Sequence, residues 1–89
     1  MHDRYLEITF RKGKALAAYI YLSRKPGVKI EHTKKLKSGI VIDFDQNNTP
    51  IGIEITTPSH VNVSEINDVL NSLNQSPISE EEFSPLKAA

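Results

Sequence analysis

Apolar and polar residues alternate from the start of the chain. Leu6, Ile8 and Phe10 interleave with Glu7, Thr9 and Arg11, the period-two pattern of a half-buried strand. The glycine-containing break Lys12-Gly13-Lys14 predicts an antiparallel return over Ala15 to Ser23. In that second strand Leu16, Ala18, Ile20 and Leu22 share one face and Ala17, Tyr19 and Tyr21 the other, so neither face is polar. Arg24-Lys25-Pro26-Gly27 has turn chemistry, and Val28, Ile30 and His32 begin a lysine-rich third strand of edge character. Ile40, Ile42 and Phe44 then alternate with Val41, Asp43 and Asp45, and Ile51, Ile53 and Ile55 alternate with Gly52 and Glu54. The Gln46–Pro50 turn between these two runs makes them the clearest hairpin, its six apolar residues facing inward together. Asn62 reads as a helix N-cap with Glu65 as its capping-box partner and Val61 and Ile66 as a hydrophobic staple; Ile66, Val69, Leu70 and Leu73 form the apolar stripe.

This pattern predicts an α+β domain over residues 1–74: an antiparallel β-meander of about five strands with one C-terminal helix packed on one face. The expected covered face is Leu16, Ile20, Ile42, Phe44, Ile53 and Ile55. Pro77, Pro85, several serines and the Glu80-Glu81-Glu82 run predict a flexible acidic tail over 75–89. At 89 residues a single core is the expectation. The absence of cysteine removes disulfides, thiolate metal sites and cysteine nucleophiles, and fits a reducing, cytoplasmic setting. No apolar run has the length of a signal peptide or a membrane span.

The net charge of zero conceals a division: residues 1–40 carry a balance of +7 and residues 41–89 one of −7. Such halves attract one another within a fold or between protomers. The acidic half also weighs against nucleic-acid binding through the basic third strand, even with Tyr19 and Tyr21 nearby to stack bases.

Tyr19-Ile20-Tyr21-Leu22-Ser23, Thr33, Gly39-Ile40-Val41-Ile42-Asp43-Phe44-Asp45 and Ile51-Gly52-Ile53-Glu54-Ile55 together resemble DUF2283, a family of small bacterial proteins of unknown function. The resemblance covers roughly residues 10 to 57. It implies a small mixed fold, supplies no catalytic residue to carry over, and suggests a partner-binding role of the kind an antitoxin plays toward a small toxin. Asn47-Asn48 stands where family members usually have asparagine-glycine, and Arg11-Lys12 where they have an acidic stretch.

Asp43, Asp45, Asn47 and Glu54 have the ligand spacing of an EF-hand calcium loop. Asn48 occupies the position that needs glycine, and the flanks read as strands rather than helices, so outward-facing strand carboxylates are the simpler reading. Asp43 and Glu54 share one hairpin face with Gly52 leaving room above Asp43, an arrangement that could serve acid–base chemistry in a small hydrolase or ligand-binding enzyme if a cleft enclosed it. Ion pairs to Lys29 or Lys35 are the simpler use. His2, His32 and His60 are scattered, and no nucleophile elbow, phosphate loop or dinucleotide motif occurs, so no cofactor is expected. Because one short helix cannot cover both apolar faces, Ala17, Tyr19, Tyr21 and Val41 are expected at an interface in a homodimer. The protein is read as a non-enzymatic interaction module. A small basic protein is the further candidate partner, met by the acidic segment Ser79 to Pro85.

Overall fold

The computed structural model describes residues 5–22, 29–36 and 39–87. Ser23, the Arg24–Gly27 turn, Val28 and His2, named above, lie outside them. Strands β1 (Tyr5–Arg11), β2 (Lys14–Tyr21), β3 (His32–Lys35), β4 (Ile40–Phe44) and β5 (Pro50–Ile55) form one antiparallel sheet. A 3-10 turn at Pro58–His60 leads into α1 (Val63–Ser72), and α2 (Glu80–Lys87) follows.

The sheet is not a meander. Its order is β1-β2-β5-β4-β3, so β5 pairs with β2 and the chain between Tyr21 and His32 links non-neighbouring strands. The order of the last four strands is that of a Greek key. Alternation establishes which residues share a face but not which strands are neighbours, and the connection over residues 22–31 is long enough to bypass two strands.

Local chemistry explains most element ends. Lys12 and Gly13 both take positive φ, 53° and 79°, the left-handed pair that a two-residue hairpin turn requires. In the β4–β5 turn the Asp45 carboxylate accepts from the backbone N–H groups of Asn47 and Thr49, while Asn48 takes φ 61°. The capping box of α1 forms as its sequence predicts: Glu65 N–H donates to Asn62 Oδ1 at 2.8 Å and Asn62 N–H to Glu65 Oε1 at 3.0 Å. Val61 and Ile66 are both buried beside it.

The main apolar cluster takes Ala18, Ile20, Ile40, Ile42, Ile53 and Ile55 from the sheet, Ile66, Val69 and Leu70 from α1, and Phe83 and Leu86 from α2. Two expected members depart from it, each at an irregularity of register. Thr9 opposes Ala17 but Phe10 opposes Ala15, which leaves Leu16 as the extra residue of a bulge, 51% exposed. Asp43 opposes Gly52 but Phe44 opposes Pro50, so Ile51 is the extra residue there; it is buried yet outside the cluster.

The flexible tail is also corrected, because its central part is α2. Ser79 Oγ accepts from Glu82 N–H at 3.0 Å and Glu82 Oε1 accepts from Ser79 N–H at 2.9 Å, a second capping box. The three glutamates occupy the first turn, where the helix dipole favours negative charge. Asn67 on α1 fastens the connection with both ends of its amide, accepting from Ile78 N–H at 2.7 Å and donating to Ile78 C=O at 3.1 Å.

Candidate functional site

The alternate residues of the same strands build the opposite face of the sheet. One cross-strand row runs Glu7, Tyr19, Glu54, Val41, Lys35 from β1 to β3; the next runs Tyr21, Gly52, Asp43, Thr33 from β2 to β3. Ala17, Tyr19, Tyr21 and Val41, the expected interface residues, are each half-buried on this face. They are joined by a polar framework. Tyr19 O–H donates to Asp43 Oδ2 at 2.7 Å, reaching diagonally from β2 over β5 to β4. Gly52 makes that reach feasible, since a Cβ there would collide with the Tyr19 phenol. Beneath the ring Asp43 is 5% exposed. Tyr21 O–H donates to Glu7 Oε1 at 2.8 Å, and its ring meets that of Tyr19 edge-on, with centroids 4.7 Å apart and planes at 67°.

Burial of the Tyr19 phenol, then its hydrogen bond to Asp43 and the negative charge of that group, raises its pKa far above the ordinary 10.0. Tyr19 is therefore a neutral donor across the physiological range, poised to hold Asp43 rather than to accept a proton from a substrate.

The segment that carries this framework has a counterpart among protein families. Residues 17–57 match DUF2283. That family is described as a protein of unknown function, and no curated protein or solved structure matches the chain. The DUF2283 segment runs from Ala17 in β2 to Thr57 just beyond β5, so it contains Tyr19, Asp43, Gly52 and Glu54. Glu7, α1 and α2 lie outside it.

Within the DUF2283 segment the calcium-like spacing is an ordinary hairpin. Asp45 caps its own turn, Asp43 points into the sheet face under Tyr19, and Glu54 stands one row away. Among the described residues no group of three or more acidic or imidazole side chains gathers as metal ligands would. Asp43 and Glu54 do share a face, but among the described residues the hydrogen-bond partner of Asp43 is Tyr19, not Lys29 or Lys35. His32 stacks on Phe44, centroids 4.9 Å apart and planes at 9°, and His60 ends the 3-10 turn. The four residues of β3 are all exposed at the sheet edge, as its lysines lead one to expect.

Sequence reasoning missed the Tyr19–Asp43 bond and the Asn67 clamp. Gly52 opposite Asp43 was the available signal for the first; an asparagine inside a helix pattern gives none for the second. Among the described residues no helix is long and apolar enough to cross a membrane.

Proposed function

We propose that the DUF2283 segment is a non-enzymatic interaction module that self-associates through its open sheet face. The observation that carries this reading is that the tyrosines of the face already have their hydroxyls satisfied within the protomer, by Asp43 and by Glu7. A partner surface can therefore cover both rings without stranding a buried donor, while gaining the apolar area of Ala17, Val41 and the two rings.

Charge placement favours a second copy as the partner. Glu7 and Lys35 stand at opposite ends of one row, both exposed. A two-fold axis along β5, the middle strand, lays β1 over β3 of the other protomer and brings each Glu7 over a Lys35. The same operation brings Glu54 toward its own copy, a repulsion that the dimer tolerates at a cost. Catalysis by Asp43 and Glu54 is less well supported, because Asp43 is closed off by a phenol that donates to it. Nucleic-acid binding at this face suffers from the three carboxylates that surround the tyrosines. The absence of cysteine is compatible with a reducing cytoplasm as the place of action.

Sedimentation equilibrium tests the proposal. A concentration-dependent dimer is expected, weakened about tenfold by Lys35→Glu, weakened less by Lys35→Gln, and tightened by Glu54→Gln. A monomer at every concentration overturns self-association. A monomer that binds a small basic protein through Tyr21 and Val41 replaces it with the antitoxin-like reading.

A further inference from the structure

The two edges of the sheet are protected unequally. β3 is four residues long and carries Lys34 and Lys35, features that discourage pairing with another strand. β1 is seven residues long, contains no proline, glycine or lysine, and among the described residues pairs with β2 alone. The bulge at Leu16 lies on β2, so alternation along β1 is unbroken. Glu7, Thr9, Phe10 and Arg11 are exposed, Phe10 by 51%.

The ladder determines where the backbone groups of this edge point. Leu22 N–H donates to Ile51 C=O at 3.0 Å, so even-numbered residues of β2 bond toward β5, and Ala17 and Tyr19 bond toward β1. Their partners Thr9 and Glu7 therefore turn inward, and the N–H and C=O groups of Ile8 and Phe10 turn out from the edge.

We infer that β1 pairs antiparallel with β1 of a second copy about a two-fold axis through Thr9, joining two five-stranded sheets edge to edge. In that register Ile8 and Phe10, whose backbone groups point outward, become the hydrogen-bonded pair. Thr9 meets Thr9, Ile8 meets Phe10 and Glu7 meets Arg11, so one register supplies hydroxyl, apolar–aromatic and opposite-charge pairs together. A slip of one residue sets outward backbone groups against inward ones, and a slip of two puts Thr9 opposite Glu7 or Arg11 and loses the charge pair. Within its own hairpin Arg11 stands opposite Lys14, a like-charge pair that the second copy's Glu7 offsets. The inference is independent of the open-face dimer, which covers side chains of the face and not the backbone of the edge.

The chain has no cysteine, so Thr9→Cys supplies a single thiol opposite its own copy. The two Thr9 positions form a non-hydrogen-bonded pair with Cα atoms about 4.5 Å apart, within disulfide reach. In a glutathione redox buffer Thr9→Cys is expected to form a disulfide dimer at least about tenfold more readily than Arg11→Cys, whose copies lie about 14 Å apart along the strand. Amide exchange at Ile8 and Phe10 is expected to slow as protein concentration rises, with Glu7 and Thr9 protected throughout. Arg11→Glu is expected to weaken pairing about tenfold without lowering the melting temperature, because the new carboxylate faces Lys14 of its own hairpin. Lys35→Glu is expected to leave the Thr9→Cys disulfide unchanged, which separates this edge from the open face. Equal crosslinking of Thr9→Cys and Arg11→Cys, or exchange at Ile8 and Phe10 that is independent of concentration, overturns the inference. A chain that stays monomeric also overturns it and leaves the edge to a strand of a different protein.

Discussion

Strand β2 shows two kinds of order side by side. Ala18 and Ile20 face a cluster sealed by two helices, where the fold is held by removing apolar surface from water. Tyr19 and Tyr21, one residue away, face the uncovered side, where the fold is held by directed bonds to Asp43 and Glu7. The first side is defined by volume and accepts any well-shaped apolar filling. The second is defined by reach and pairing: one phenol, one carboxylate and one missing Cβ must coincide. A surface ordered in that way keeps a fixed shape without a helix over it, which is what a docking surface needs.

Substitutions on the two sides should separate these contributions. Ile53→Ala, at a position with no exposure, should have the largest effect, about 2–5 kcal/mol of lost stability by urea denaturation. Gly52→Ala, on the other side of the sheet, adds one methyl group rather than removing several, yet should cost about 2 kcal/mol because Tyr19 must leave Asp43 with its carboxylate still covered by the sheet. If Gly52→Ala proves neutral in the same assay, the diagonal bond is not a determinant of the open face.

Tyr19→Phe should cost less, about 1–2 kcal/mol, since the ring still fills its place and only the donor is lost. It should also change the response to alkali. In the fold the Tyr19 proton is held more tightly than at the ordinary 10.0, so its contribution is complete below that pH and declines as the unfolded chain begins to lose the proton above it. The urea midpoint measured from about pH 8 to about pH 11 should fall less steeply in Tyr19→Phe than in the parent chain. Parallel curves for the two proteins would show that the phenol's environment does not differ between folded and unfolded states.

The two sides were unequally legible in the sequence. Alternation exposed the inward isoleucines and placed Ala17, Tyr19, Tyr21 and Val41 together opposite them. It gives no information on strand order, so a meander puts β3 between β2 and β4, where the fold has β5 with Gly52 beneath the Tyr19 phenol. A bond that crosses an intervening strand depends on that order and on Gly52, neither of which a periodic pattern contains. The bulges at Leu16 and Ile51 shift single residues in ways that hydrophobicity alone cannot anticipate. The family resemblance was correct over β2 to β5, but Phe10 to Leu16 lie outside the matched residues.

On the helix side Pro85 and the glutamates predict a flexible tail, and α2 forms there instead. Ser79-Glu80-Glu81-Glu82 is a capping-box signature, and it forms. Pro85 lies inside the helix and cannot donate to the carbonyl of Glu81, four residues earlier. Ser84 supplies the missing donor: its hydroxyl bonds that same carbonyl at 3.0 Å. The adjacent serine thus offsets part of the proline defect, and Phe83 and Leu86 can reach the core from either side of it. Ser84→Ala should therefore cost about 0.5–1 kcal/mol, the smallest effect here, and hydrogen exchange should place the loss in α2 rather than in the sheet. In a Pro85→Ala background, where residue 85 donates its own N–H to Glu81, the same substitution should become close to neutral. Equal cost in both backgrounds would mean that the Ser84 hydroxyl does not stand in for the proline.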